Sequence, residues 1–274
     1  MQEGYRNLEN SLIGPQLLKS AVEKSRGITE TYSPNMKPFI GHYGVDAVKR
    51  DLEKVLRYEK RHAASHKESG SEKEKELASV FENLFLEAAD TEGWFGNAEL
   101  GRPTKFDDYV NGIDVLMTLF DKEDNATHLE LSSDLTFGTQ ASSDKLQKVI
   151  GDIDRGDLAK VKYFHSDHMG FTGALTDVPR TVIGLDRTNL PEFIRGRVHG
   201  TVDSEPFRNT MLLQLQSQLK FFRNYADKVW GEHPIRRKYG QASRAVDTVI
   251  SDLDFDRDNV LEDTITDNIR ELGR

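Results

Sequence analysis

Gly112–Phe120 reads GIDVLMTLF, and Thr127–Thr136 reads THLELSSDLT. Both are short runs dense in apolar and β-branched residues, the composition of strands that pack on a core. The polar stretch DKEDNA between them has roughly the length of a hairpin connection, so the two strands are expected side by side. Upstream, Leu77, Val80, Phe81, Leu84, Phe85 and Ala88 recur at helical spacing and predict an amphipathic helix, ended by Gly93 and Gly96. Downstream, Ser142 or Ser143 is placed to cap a helix over Asp144–Asp154. Its apolar stripe is Leu146, Val149, Ile150 and Ile153, and Gly156 stops it. Ala159–His165 and Arg180–Leu185 read as two further strands. The order is helix, strand, strand, helix, strand, strand.

The flanks are helical. Gln16–Ser65 reads as helical pieces broken by a loop carrying Pro34, Pro38, Gly41 and Gly44. Val45, Val48, Leu52, Val55 and Leu56 mark one of those pieces. The charged run His66–Lys75 reads as a solvated linker or helix start. Glu205–Trp230 has few breakers and carries Met211, Leu212, Leu215, Leu219 and Phe222 at helical spacing. More helix is expected over Gly240–Leu253 and Val260–Leu272. Three regions follow: a helical N-terminal region 1–75, a mixed α/β core 76–200, and a helical C-terminal region 201–274.

Charge and composition narrow the functions. The 274 residues hold 37 basic and 46 acidic side chains, a formal charge of −9. That is not the balance of a protein that coats nucleic acid unspecifically, although an acidic chain can carry a local basic groove. There is no cysteine. Disulfides, thiolate catalysis and cysteine-bound zinc are excluded, and a reducing compartment fits. The polar N-terminus does not read as a signal peptide, and no apolar run is long enough to span a bilayer. A cytoplasmic protein without membrane contact is the expectation.

Two acids stand out. Asp114 lies among apolar residues in a strand pattern, and Glu130 repeats the situation in Leu-Glu-Leu-Ser. An acid in such a setting is costly to bury without a partner. Strand alternation puts Glu130, Ser132 and Asp134 on one face, with Leu129 and Leu131 on the other. If Asp114 faces the same way, two carboxylates converge. Oxygen ligands of that kind suit a hard divalent cation, which polarises a phosphodiester and lowers the pKa of water.

With these residues the segment from about Leu77 to Leu185 resembles the core of the PD-(D/E)XK nuclease superfamily. Ala78-x-x-Phe81-Glu82 is similar to that family's first-helix motif. Gly-Ile-Asp114 matches its strand aspartate, and Glu130-Leu-Ser132 matches its Glu-x-Lys motif with Ser132 where the lysine belongs. The resemblance implies a restriction-endonuclease-like mixed α/β sheet flanked by helices. It implies Glu82, Asp114 and Glu130 as ligands of Mg2+ or Mn2+, with Asp114 and Glu130 catalytic. In some members of the superfamily the lysine comes from a neighbouring element. Lys145 and Lys148 on the next helix are candidates here, with Gln140 and Gln147 behind them. The implied substrate is nucleic acid, DNA ahead of RNA. A catalytically inactive descendant of the same fold, binding nucleic acid or protein, is the alternative. A third reading makes the acids structural and the C-terminal helices a homo-oligomer surface.

Other patterns carry less. His165, Asp167 and His168 follow a strand and offer transition-metal donors, but a polar loop explains them equally. Asp252-x-Asp254-x-Asp256-x-Asp258 resembles the start of an EF-hand loop. It has Arg257 where the turn needs glycine and Asp263 where the last ligand needs glutamate. Arg236-Arg237-Lys238-Tyr239 and the group Arg195, Arg197, Arg208 are basic segments that could meet phosphates. No phosphate-binding loop, dinucleotide fingerprint, nucleophile elbow or zinc-protease helix occurs.

Overall fold

In the computed structural model the described residues are 13–32, 34–69, 72–120, 126–134 and 139–273. Within them the side chains of 30, 31, 62–69, 72–75, 126, 128–134 and 139–142 lie outside the description. The fold is mixed α/β and mostly helical. Helices α1 (Pro15–Tyr32), α2 (Ile40–Tyr43), α3 (Val45–Ser69) and α4 (Glu72–Thr91) lead into strand β1 (Glu99–Gly101). A π-helical turn over Asp107–Asn111 precedes β2 (Val115–Phe120) and β3 (Ala126–Asp134). Then come α5 (Thr139–Asp154), β4 (Ala159–Ser166), β5 (Phe171–Val178) and β6 (Arg180–Gly184). The chain ends in α6 (Leu190–His199), α7 (Glu205–Trp230), α8 (Pro234–Asp252) and α9 (Thr264–Leu272).

The strands form a four-stranded sheet in the order β1-β2-β3-β6 and a separate hairpin β4–β5. β2 and β3 are antiparallel, with Val115 opposite Leu131 and Leu116 opposite Glu130. β6 joins β3 in parallel. Every residue of β2 is buried, and its two faces belong to different clusters. Val115, Met117 and Leu119 join the main core, whereas Leu116 packs with Val161 and Phe164 of the hairpin. The main core draws on α1, α4, the sheet, α5 and the C-terminal helices together. The apolar stripe of α4 (Leu77, Val80, Phe81, Leu84, Phe85, Ala88) is buried throughout. So is the α7 stripe Met211, Leu212, Leu215, Leu219 and Phe222.

The far edge of the sheet is closed by side chains. β6 is an edge strand, and unpaired edge groups are costly when buried. Gln218 accepts from the Val182 N–H at 2.8 Å and donates to its carbonyl at 2.6 Å. Gln214, one turn earlier on α7, does the same for Gly184 at 3.1 and 3.0 Å. Two glutamines at i, i+4 on a buried helix thus stand where another strand would be.

Several expectations change. Asp114 sits at a bend one residue ahead of β2 and not within the strand. The run His66–Lys75 is largely helical, divided between the end of α3 and the start of α4. Helix α8 begins at Pro234, where His233 caps the Ile235 N–H, so the basic segment Arg236–Lys238 is the first turn of that helix. Strands β1 and β5 and helix α6 have no counterpart in the sequence reading. β1 spans three residues, too few to show an alternation; β5 is largely exposed and interrupted by Gly173. Helix α6 carries Pro191 and Gly196 inside ten residues, which masks its periodicity. Among the described residues no helix is long and apolar enough to cross a membrane.

Candidate functional site

The site lies where α4, the π-helical turn, the start of β2 and α5 meet. Glu82 is on α4, on the side of the helix that carries Ala78 and Phe81. Asp114 closes the link between the π-helical turn and β2. That link turns on Gly112, whose φ of 68° puts it in the left-handed region that favours glycine. A Cβ at 112 would come within 3.5 Å of Lys148 Nζ, so α5 approaches this turn closely.

The turn itself is pinned by Asp107, which is fully buried. Its carboxylate accepts from the backbone N–H groups of Lys162 at 2.7 Å and Tyr163 at 3.0 Å. Thr104 and Asn111 donate to it as well, at 3.0 and 2.6 Å. With Asp107 fixed on β4, the next residue, Asp108, falls beside Asp114 and Arg102.

Three carboxylates therefore share one neighbourhood: Glu82, Asp108 and Asp114. Arg102, Lys145 and Lys105 oppose their charge. Arg102 Nη2 stands 3.6 Å from Glu82 Oε2. Lys145 Nζ stands 3.7 Å from Asp114 Oδ2. Neither carboxylate-cation pair reaches hydrogen-bond distance. Burial pushes the Glu82 carboxyl up to about 8, reinforced by the negative charge of Asp114, against the pull of Arg102. About a quarter of the Glu82 side chain still reaches solvent, so it lies in a crowded cleft and not in a sealed core. Asp108 is raised to about 6, first by burial and then by Asp114.

The structure thus brings together Glu82, Asp114 and Lys145, with Lys148 close by. Glu130 takes the register position opposite Leu116, the second residue of β2 and two positions after Asp114. The side chains of Glu130, Ser132, Asp134 and Gln140 lie outside the described residues. Gln147 is on an exposed face of α5. Glu87, five residues beyond Glu82, is turned elsewhere and pairs with Lys24 and Arg197. Arg102 and Asp108 had no part in the sequence reading. The only local signal was the pair of acids after Arg102-Pro103, which marks neither residue.

The remaining patterns go to structure. His165 is engaged by Thr172 at 2.7 Å and Asp167 at 3.1 Å, and the His168 ring packs edge-on against Phe120. Of the basic residues, Arg197 is bound to Glu87 and Glu92, Arg208 to the Asp254 carbonyl, and Arg236 to Asp227. The acidic turn after α8 is held from α7: Asn209 donates to the carbonyls of Asp256 and Asn259, and Arg257 reaches Gln216.

Among the described residues no three His, Asp or Glu side chains converge as a ready-made metal cage. The donor chemistry nevertheless fits a hard divalent cation. The oxygens are carboxylate oxygens, and their mutual repulsion and burial leave a local demand for positive charge. Comparison of the chain with protein-family models, with curated proteins and with solved structures finds no match.

Proposed function

We propose that this protein is a metal-dependent nuclease whose centre is Glu82, Asp114 and Glu130, on a core of the restriction-endonuclease type. The observation that carries the reading is the approach of Lys145, from helix α5, to Asp114 at 3.7 Å. A lysine beside Asp114 supplies from a neighbouring helix what Ser132 lacks. Glu82 on the preceding helix, an antiparallel pair with Asp114 just ahead of it and Glu130 in its second strand, and a parallel strand beyond support this reading.

In this reading Glu82, Asp114 and Glu130 would hold Mg2+ or Mn2+, which supplies Lewis-acid stabilisation of charge on the phosphate. The protein's own groups orient the substrate. Lys145 neutralises a phosphate oxygen near Asp114, and Arg102 offers a planar set of donors on the Glu82 side. Hydrolysis forms a bond from water oxygen to phosphorus and breaks the bond to the leaving nucleoside oxygen. The proton that water loses balances the one the leaving oxygen gains. Proton release from Glu82 accompanies any ligand that needs it as a carboxylate.

The same pairs favour a second reading. Arg102 and Lys145 balance Glu82 and Asp114 without a metal, as a binding module descended from a nuclease would require. Calorimetry with Mn2+ and Mg2+ on the wild type and Asp114→Ala separates the two, followed by cleavage assays on labelled DNA and RNA. Metal binding and cleavage that both vanish in the variant support the nuclease. A wild type that binds no metal and cuts neither substrate supports the module.

A further inference from the structure

A second feature opens on the other side of Arg102. A cleft of about 120 Å3 runs between strand β1 with its following loop and the β4 strand. Leu100, Leu116, Val161, Tyr163 and Phe164 give it apolar walls, and Arg102 and His165 stand among its polar lining residues. Pockets for drug-sized ligands run to roughly 300–1,000 Å3, so this slot has room for one flat ring system.

Arg102 belongs to both places. It lines the slot and approaches Glu82. Its Nε and Nη2 are buried on the Glu82 side, while about a sixth of the side chain stays exposed. A phosphate is the acceptor that matches a guanidinium, and within a nucleotide the base lies one sugar away from the phosphate. A base within a duplex has both faces covered by its neighbours and cannot enter such a slot without being unstacked. The chain's charge of −9 argues the same way. Duplex binding leans on many phosphate contacts, whereas single strands gain much of their affinity from base contacts to apolar and aromatic walls.

We propose that the slot beside Arg102 receives the base of an unpaired nucleotide, so that the ligand is single-stranded nucleic acid or a frayed strand end. The inference rests on the hydrolytic reading of the neighbouring carboxylates, yet binding can be measured apart from hydrolysis. Gly101 lines the slot, and a Cβ there meets nothing within 4 Å. Residue 101 shares the strand parity of Glu99, whose carboxylate accepts from Ser166 on β4, so a side chain at 101 points toward the hairpin. Gly101→Phe fills the slot and leaves every carboxylate of the cluster in place.

The test is fluorescence anisotropy in EDTA with a labelled single strand and with its duplex. The wild type is expected to favour the single strand. Gly101→Phe is expected to weaken that binding by on the order of tenfold, and Gly101→Ala to leave it unchanged. Saturation-transfer NMR on the wild type with deoxynucleoside monophosphates needs no variant, and base protons should receive the strongest transfer. A wild type that prefers duplex, equal single-strand affinity in Gly101→Phe, or no transfer to base protons overturns the proposal. Failure of the nuclease reading looks different: Mn2+ does not bind and nothing is cut, while the single-strand preference in EDTA persists.

Discussion

Lys145 Nζ stands 3.7 Å from Asp114 Oδ2, which joins helix α5 to the bend ahead of β2. The contact is long for a direct hydrogen bond, and both side chains stay partly open to solvent. It contributes little to stability for those reasons, and its value lies in holding a cation beside Asp114. Lys145→Ala is therefore expected to leave the melting temperature nearly unchanged while lowering cleavage on the order of 10²-fold. Lys148→Ala should lower it less. Single-turnover cleavage with a thermal melt of each variant checks both parts.

The Glu82 carboxyl, raised from 4.5 to about 8, makes stability depend on pH. Between those values the folded state holds a proton that the unfolded state has released. Its contribution is full below about pH 4.5 and is lost as pH rises through about 8. Glu82→Gln removes that loss. It should raise the melting temperature at pH 8 by a few degrees, about 2–4 °C for each kcal/mol, and by less at pH 5. Scanning calorimetry at the two pH values reads the difference, and an equal shift at both would refute the assignment.

Gln218 closes the edge of β6 through the Val182 N–H and carbonyl. Gln218→Leu keeps the side chain's bulk but strands both buried groups. A loss of about 2–4 kcal/mol is expected in urea unfolding. Amide exchange at Val182 should accelerate more than at Val115 on the interior strand β2.

Asp51 on α3 fastens that helix to β4. Burial alone would raise its carboxyl, but hydrogen bonds from Lys162, Tyr163 and Lys54 outweigh burial and hold it below its ordinary value of 3.8. Its contribution is present above about pH 3.8 and is lost as pH falls further. Lys162 lies among the rings of Tyr43, Phe106 and Tyr163, and losing its carboxylate leaves it there uncompensated. Asp51→Ala should cost about 3 kcal/mol at pH 7, and progressively less as pH falls below about 3.8, as followed by tryptophan fluorescence.

The helices were legible because burial writes a period into the chain. Leu77 to Ala88 and Met211 to Phe222 announce their inward faces, and both stripes are buried where the spacing puts them. The β2–β3 pair was legible from two apolar runs around a polar turn. Strand β1 was not, since three residues carry no period. The glutamines on α7 were passed over because polar residues within an apolar stripe read as breaks. Their role depends on a strand edge some thirty residues away.

At the site, the strand patterns singled out Asp114 and Glu130, and the nuclease resemblance implied Glu82, Lys145 and Lys148. Acids among apolar residues and short motifs are local features. Only the tertiary structure decided that Arg102 and Asp108 belong with them. Arg102 arrives on the loop after β1, and Asp108 is aimed by the grip of Asp107 on the backbone of β4. Such contacts join residues far apart in the chain. Their energies come from desolvation and charge at a distance of a few ångströms, and no spacing along the sequence encodes them.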